Sequence, residues 1–242
     1  NQDFHGACLA QGAALTTKGV AVALADGISS SEVSHIASAA AVHALLVDYY
    51  CTSDAWTVRR SVQCVLAATN SWLHAQGRRG PHRFDADRGY VCTLSALVIK
   101  STTAHLFHVG DARIYRVQGQ ALEQLTQDHR VHLPGGHSHL ARAMGFQPQL
   151  EIDYRALAVE SGDTFVLATD GVHEHLSAQC ITQALQDHAD DLDQAARSIV
   201  AKALQQGSSD NLTVQIVHID ALPLYHPDEL QRQRLALRLP AL

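Results

Sequence analysis

Cys92-Thr93-Leu94-Ser95-Ala96-Leu97-Val98-Ile99-Lys100, then Thr103-Ala104-His105-Leu106-Phe107-His108-Val109-Gly110-Asp111, is the stretch that decides the fold. Two apolar runs of strand length are separated only by Ser101-Thr102, too short a link for anything but an antiparallel pair. A carboxylate stands immediately after the second run. Downstream, Arg113–Val117 and Ala121–Leu125 flank Gln118-Gly119-Gln120, which reads as a hairpin. His129 to His139 reads as a loop, with a short helical piece near Leu140–Met144. Ile152–Val159 and Thr164–Ala168 are expected strands around the turn Ser161-Gly162-Asp163. Two helices follow over about 177–188 and 191–206. The second shows an apolar stripe of Leu192, Ala195, Ala196, Ile199, Val200, Ala203 and Leu204. Asn211–Ile219 is the closing strand.

Upstream, residues 4–10 and Gly19–Ala25 read as strands, and the second ends abruptly in Asp26-Gly27. Ser29, Ser30 and Ser31 offer caps for a helix over about 32–50, with Val33, Ile36, Ala37, Ala40 and Ala44 at helical spacing. A second helix, about 54–76, places Val62, Val65, Leu66, Thr69, Trp72 and Leu73 on one face. Arg78–Asp87 is a polar loop with Gly and Pro. Helices in pairs, with hairpin-linked strands between, do not suit a doubly wound sheet. They suit an α+β fold in which each helix pair covers one outer face of mostly antiparallel sheets.

The chain has 242 residues, enough for one large core without disulfide staples. Its net charge of −6 and only 18 Lys plus Arg argue against a nucleic-acid surface. Cys8, Cys51, Cys64, Cys92 and Cys180 are odd in number, widely spaced and mostly set in apolar runs, the pattern of buried free thiols in a reducing compartment. With no signal peptide and no run of 18 apolar residues, the expected location is cytoplasmic, without direct membrane contact. Residues 1–220 are expected to form the domain, and 221–242 a linker or C-terminal tail.

Asp26, Asp111 and Asp170 each follow an apolar strand; Asp210 precedes one, and Asp3 leads into Phe4. Alone, each is an ordinary turn or cap residue, and Asp26-Gly27 and Asp170-Gly171 could simply be turns. Together, carboxylates at the ends of strands in one sheet protein would repel unless a cation lay among them. An oxygen-only set suits Mg2+ or Mn2+. His105, His108, His132, His137 and His139 show neither an HExxH nor a compact Cys/His zinc pattern. Composition and spacing reach no further than an unassigned acidic metal site.

An ordered set of motifs goes further. It runs Asn1-Gln2-Asp3, Ala25-Asp26-Gly27, Cys92-Thr93-Leu94, Gly110-Asp111-Ala112-Arg113 and Leu125-Thr126-Gln127-Asp128-His129. It continues with Leu140-Ala141-Arg142-Ala143-Met144-Gly145, Ala168-Thr169-Asp170-Gly171 and Ser209-Asp210-Asn211-Leu212-Thr213. In this order the motifs resemble the metal-dependent, type-2C serine/threonine protein phosphatases. The resemblance implies a four-layer α–β–β–α sandwich and a cofactor of two Mn2+ or Mg2+ ions, with a third, weaker site. It gives Asp26 a bridge between two metals, the Gly27 carbonyl a hold on the second, and Asp170 and Asp210 the rest of the first ion's shell. Asp3 acts in or beside that shell, and Asp111 helps hold the third ion. Asp3, Asp26, Asp170 and Asp210 are then the catalytic set. The implied reaction is hydrolysis of phosphoserine or phosphothreonine in proteins by a metal-activated water, without a protein nucleophile. Thr93 lines the core near the site, Arg142 and His129 are structural or orienting, and Cys92 and Cys180 are structural.

Departures from the family pattern set a second expectation. Gln2 stands where many relatives have a metal-binding glutamate, and Ile28 where some have a histidine proposed as general acid. Relatives place a strand and a phosphate-binding arginine before the motif matched by Asn1–Asp3, so an N-terminal strand is expected to be missing from this segment. The short stretch between Arg130 and Leu140 suggests a reduced flap. Motifs around Gly135-Gly136-His137 and Val172-His173-Glu174 resemble bacterial phosphatases fused to a serine/threonine kinase, which would lie C-terminally. The alternative function is then a weak or inactive phosphatase-like module that binds and regulates an attached or partner kinase.

Overall fold

The computed structural model describes residues 1–79, 83–132 and 138–223. The chain begins with β1 (Phe4–Cys8), a single exposed helical turn α1 (Gly12–Thr17), and β2 (Val20–Ala25). The helices α2 (Ser34–Val47) and α3 (Val58–Arg79) follow, linked through a 3-10 turn at Asp48–Cys51. Next come β3 (Leu94–Lys100), β4 (Thr103–Val109), β5 (Arg113–Gln118) and β6 (Ala121–Gln124), then β7 (Arg130–His132) and β8 (Ser138–Leu140). The last part is β9 (Asp153–Ala158), β10 (Thr164–Ala168), α4 (Asp170–His173), α5 (Ala178–Asp187), α6 (Leu192–Gln205) and β11 (Val214–His218). No helix among the described residues is long and apolar enough to cross a membrane.

The strands form two antiparallel sheets. One has the order β1-β2-β3-β4-β9 and the other β11-β10-β5-β6; β7 and β8 pair separately. Strand alternation distributes side chains over three cores, and three cores define four layers. Ala21, Ala23 and Ala25 of β2 with Ala96 and Val98 of β3 face α2 and α3, packed against Ala37, Ala41, Leu45, Val62 and Leu66. Leu24, Leu97 and Leu106 point the other way and meet Ile114, Phe165 and Leu167 of the second sheet. Val166 and Ala168, on the opposite face of β10, meet Ile181, Leu185, Ala195 and Ile199 of α5 and α6. The small side chains of β2 and α2 allow a helix to sit close on a sheet. The expected α–β–β–α sandwich is the observed one.

Several local expectations are corrected. Residues 140–144 form no helix: β8 ends at Leu140, and Met144 makes a backbone bridge to Cys92, its N–H donating to Cys92 O at 2.9 Å. The helical-spacing reading failed there because backbone partners across the chain outweigh a four-residue pattern. Ile36, Trp72 and Leu204 are exposed rather than on buried faces, whereas Val42, Leu45 and the polar Asn70 are buried. Asn70 is satisfied by the neighbouring loop: its amide donates to Gln147 O at 2.9 Å and its Oδ1 accepts from Gly145 N at 2.7 Å. Of the cysteines only Cys92 is fully buried; Cys51 and Cys64 are exposed. The loop expected at 129–139 instead opens and closes with β7 and β8; its tip, with Gly135-Gly136-His137, lies outside the described residues, as do Gly80, Pro81, His82 and the expected tail from residue 224 onward.

Candidate metal centre

The aspartates gather where strands of both sheets end on the same side. Asp26 leaves β2, Asp111 sits in the turn between β4 and β5, Asp170 opens α4 directly after β10, and Asp210 lies in the segment leading to β11. Asp26, Gly27, Asp111, Asp170 and Asp210 line one cleft of about 330 Å3, together with Ile28, Ser29, Ser30, Asp87, Thr93, Arg130, His139 and Leu140. Asp3 does not line it; it stands behind Asp26, just ahead of β1.

Backbone locking explains the aim of these groups. Asp26 N donates to Thr93 Oγ1 at 3.0 Å, and Thr93 N donates to Asp26 O at 2.7 Å. Asp3 Oδ2 accepts from Thr213 Oγ1 at 2.6 Å and Thr169 Oγ1 at 3.4 Å, so the second sheet holds a carboxylate carried by the first. Gln2 and Asn211 clamp the same seam, Gln2 N donating to Asn211 Oδ1 at 2.6 Å.

Neither Asp-Gly pair is a hairpin turn. A Cβ on Gly27 would lie 2.8 Å from Ser34 O, and one on Gly171 only 2.3 Å from Asn211 O. Both glycines are needed because another backbone passes within contact distance. Gly171 thereby lets α4 and the Asp210-Asn211 segment come together.

Charge is concentrated accordingly. Burial, then the neighbouring charges of Asp3 and Asp170, push Asp26 up to about 10. Burial likewise raises Asp3, against the hydrogen bond from Thr213. Asp111 is pushed up to about 6 by burial, opposed by the charge of Arg130. Asp3 Oδ1 is buried without a hydrogen-bond donor. Buried carboxylates that resist ionisation, and a buried acceptor without a donor, are the marks of a set that a cation would satisfy. The donors are all oxygen and suit a hard divalent ion. As they stand, no three His, Cys, Asp or Glu side chains among the described residues are grouped closely enough to hold one.

The sequence reading missed Arg130 and Glu174. Arg130 Nη2 donates to Asp170 Oδ2 at 2.6 Å, and its other nitrogens bond Asp111 and Glu174. The available signal was an arginine directly after the Asp128-His129 motif, in a chain poor in cations. His129 is buried and oriented: its Nδ1 accepts from Gly110 N at 3.1 Å, which makes Nε2 the donor to Asp153 Oδ2 at 3.0 Å. Arg142 Nη1 donates to the other Asp153 oxygen at 2.9 Å. Burial works against the Asp153 carboxylate, yet the bonds from His129 and Arg142 bring it below its ordinary value. This chain of contacts fixes Gly110, next to Asp111. Cys92 is fully buried, and burial, with Asp26 nearby, drives its thiol far above the ordinary range, which disfavours the thiolate.

Two antiparallel sheets between helix pairs, with a carboxylate cleft where their strands end, define the class. The Protein phosphatase 2C family model matches residues 1–214, and the chain belongs to that family. It is 28% identical over 216 residues to the protein phosphatase PhpP of Streptococcus pneumoniae, a match covering 82% of this chain and 85% of that one. It is 26% identical over 214 residues to the serine/threonine protein phosphatase PstP of Mycobacterium tuberculosis, covering 82% of this chain but 40% of that longer protein. Among solved structures, the Streptococcus agalactiae serine/threonine phosphatase superposes with a TM-score of 0.77 at 25% identity, covering 90% of this chain and 93% of that one. The fold also matches the PstP catalytic domain solved with two manganese ions, with a TM-score of 0.70 at 24% identity and coverage of 89% and 90%.

Proposed function

We propose that this chain hydrolyses phosphoserine and phosphothreonine in proteins, using divalent metal held in the acidic cleft. The observation that carries the reading is the convergence of Asp26, Asp111, Asp170 and Asp210 on one cleft, within a family of phosphatases. Asp26, the Gly27 carbonyl, Asp170 and Asp210 would hold the metal, with Asp3 behind them and Asp111 at the far side. Bound Mn2+ or Mg2+ there would supply Lewis acidity toward phosphate oxygens and toward the attacking water.

The chain's own groups do the rest. Thr93 fixes Asp26 from both backbone directions, and Thr169 and Thr213 fix Asp3. No cysteine lines the cleft among the described residues, and Ser30, which does, donates its hydroxyl to Asp87 O at 2.8 Å; the reading is a direct attack of water on phosphorus. Ile28 lines the cleft and carries no proton. His139, also lining it, is the imidazole within the cleft wall that could deliver one to the departing hydroxyl oxygen. A phosphoprotein is the substrate that family membership suggests, and a kinase beyond residue 242 is part of the same proposal, checked by reading the frame past both ends.

The test is hydrolysis of an aryl phosphate with Mn2+ or Mg2+ present or chelated. Turnover is expected only with metal, and Asp170→Asn is expected to lower it by about 100-fold or more. Metal-independent turnover, or full activity in Asp170→Asn, would overturn the reading.

A further inference from the structure

Arg130, the first residue of β7, sends its guanidinium into the acidic end of the cleft, and each nitrogen there meets a different carboxylate. Nε donates to Asp111 Oδ2, Nη2 to Asp170 Oδ2 at 2.6 Å, and Nη1 to Glu174 Oε1. Asp111 comes from the turn between β4 and β5, while Asp170 and Glu174 lie one helical turn apart across α4. A planar fork of donors can satisfy three such acceptors at once; a lysine ammonium, a point charge on a flexible stem, could not hold them in this geometry. The Arg130 side chain is only 22% exposed, with Asp111 at 6% and Asp170 at 17%, so those two contacts are poorly screened by solvent, while Glu174, at 44%, is held at the solvent edge.

The oxygens that face the guanidinium are the same kind of donor that a hard divalent cation takes. They cannot serve both at once. We infer that Arg130 is a built-in cation that closes the Asp111–Glu174 side of the cluster to divalent metal, confining metal to the side formed by Asp26 and Asp210. Asp170 borders both sides: its Oδ2 takes Arg130, and its Oδ1, which accepts one N–H, from Gly171 at 2.7 Å, keeps a lone pair for metal on the Asp26–Asp210 side. This inference rests on the metal-centre reading of the cleft.

Mn2+ bound per chain, measured by equilibrium dialysis and metal analysis, tests it. Arg130→Ser and Arg130→Gln, checked for folding by circular dichroism, are each expected to take up one more Mn2+ per chain than the wild type. Adding Glu174→Gln to Arg130→Ser is expected to remove that additional ion. Equal uptake by wild type and folded variants overturns the role of Arg130 and leaves the metal centre standing; no uptake by any of them overturns both. In the wild type itself, the Arg130 Nε–H resonance should stay protected from solvent exchange when Mg2+ saturates the protein. Its loss would mean that the ion displaces the guanidinium, which contradicts the inference.

Discussion

Gly171 shows how a single missing side chain can set the geometry of a charged site. Its neighbour Asp170 and the distant Asp210 reach the same cleft because two backbones touch where Gly171 has no Cβ. Ser208 Oγ, donating to Gly171 O at 2.8 Å, and His175 Nδ1, 3.1 Å from the same oxygen, tighten that junction. Gly171→Ala would force apart groups that are backbone on one side, with no flexible end to yield. It is expected to destabilise the fold by about 1–3 kcal/mol and to weaken Mn2+ binding. Thermal melts with and without Mn2+ check this: the metal-induced rise in midpoint should shrink in the variant. An unchanged rise would separate Gly171 from the metal centre.

At the scale of elements, His108 on β4 ties the first sheet to the segment between β6 and β7 through its ring. Its Nε2 faces Gln127 O at 3.1 Å, and its Nδ1 lies 3.0 Å from Ser95 Oγ. Burial, with His129 nearby, brings it down to about 4. The folded state therefore binds this proton later than the unfolded chain, whose imidazole titrates near 6.5. The stability is fully present above about 6.5 and is lost as pH falls toward 4, with a loss on the order of 2–3 kcal/mol. Urea midpoints at pH 7 and 4.5 should fall in the wild type and fall less in His108→Gln; equal falls would contradict the assignment. Strand positions were legible in the sequence because β3, β4 and β10 are apolar runs with clear bounds, and five of their six ends fall where those runs put them. Helix faces were less so. Ile36, Trp72 and Leu204 are apolar yet exposed, since a helix lying on a sheet buries only one stripe and small alanines there carry little hydrophobic signal. The β7–β8 pairing escaped because three-residue strands have no period to read.

Over the whole molecule, the two sheets and the separate β7–β8 pair are tied at the acidic end by residues far apart in sequence. Asp3 rests on Thr213, Gln2 on Asn211, and Arg130 on Asp170 and Glu174. The aspartates were legible because each stands at a strand end, a position visible from the sequence alone. Arg130 was not, because its partners lie 19, 40 and 44 residues away and only the folded sandwich brings them together. Mutual repulsion of these carboxylates would cost stability without metal, and a bound cation would recover it. The account stands or falls on whether that cation supports chemistry. The most direct measurement is phosphate release from a phosphothreonine peptide as free Mn2+ is raised, with peptide binding followed in the same samples, for the wild type and Asp26→Asn. The account predicts release that requires Mn2+, stops on chelation, and falls by about 100-fold or more in a folded Asp26→Asn variant. A metal-loaded wild type that binds the peptide without releasing phosphate, or release untouched by Asp26→Asn, would contradict it.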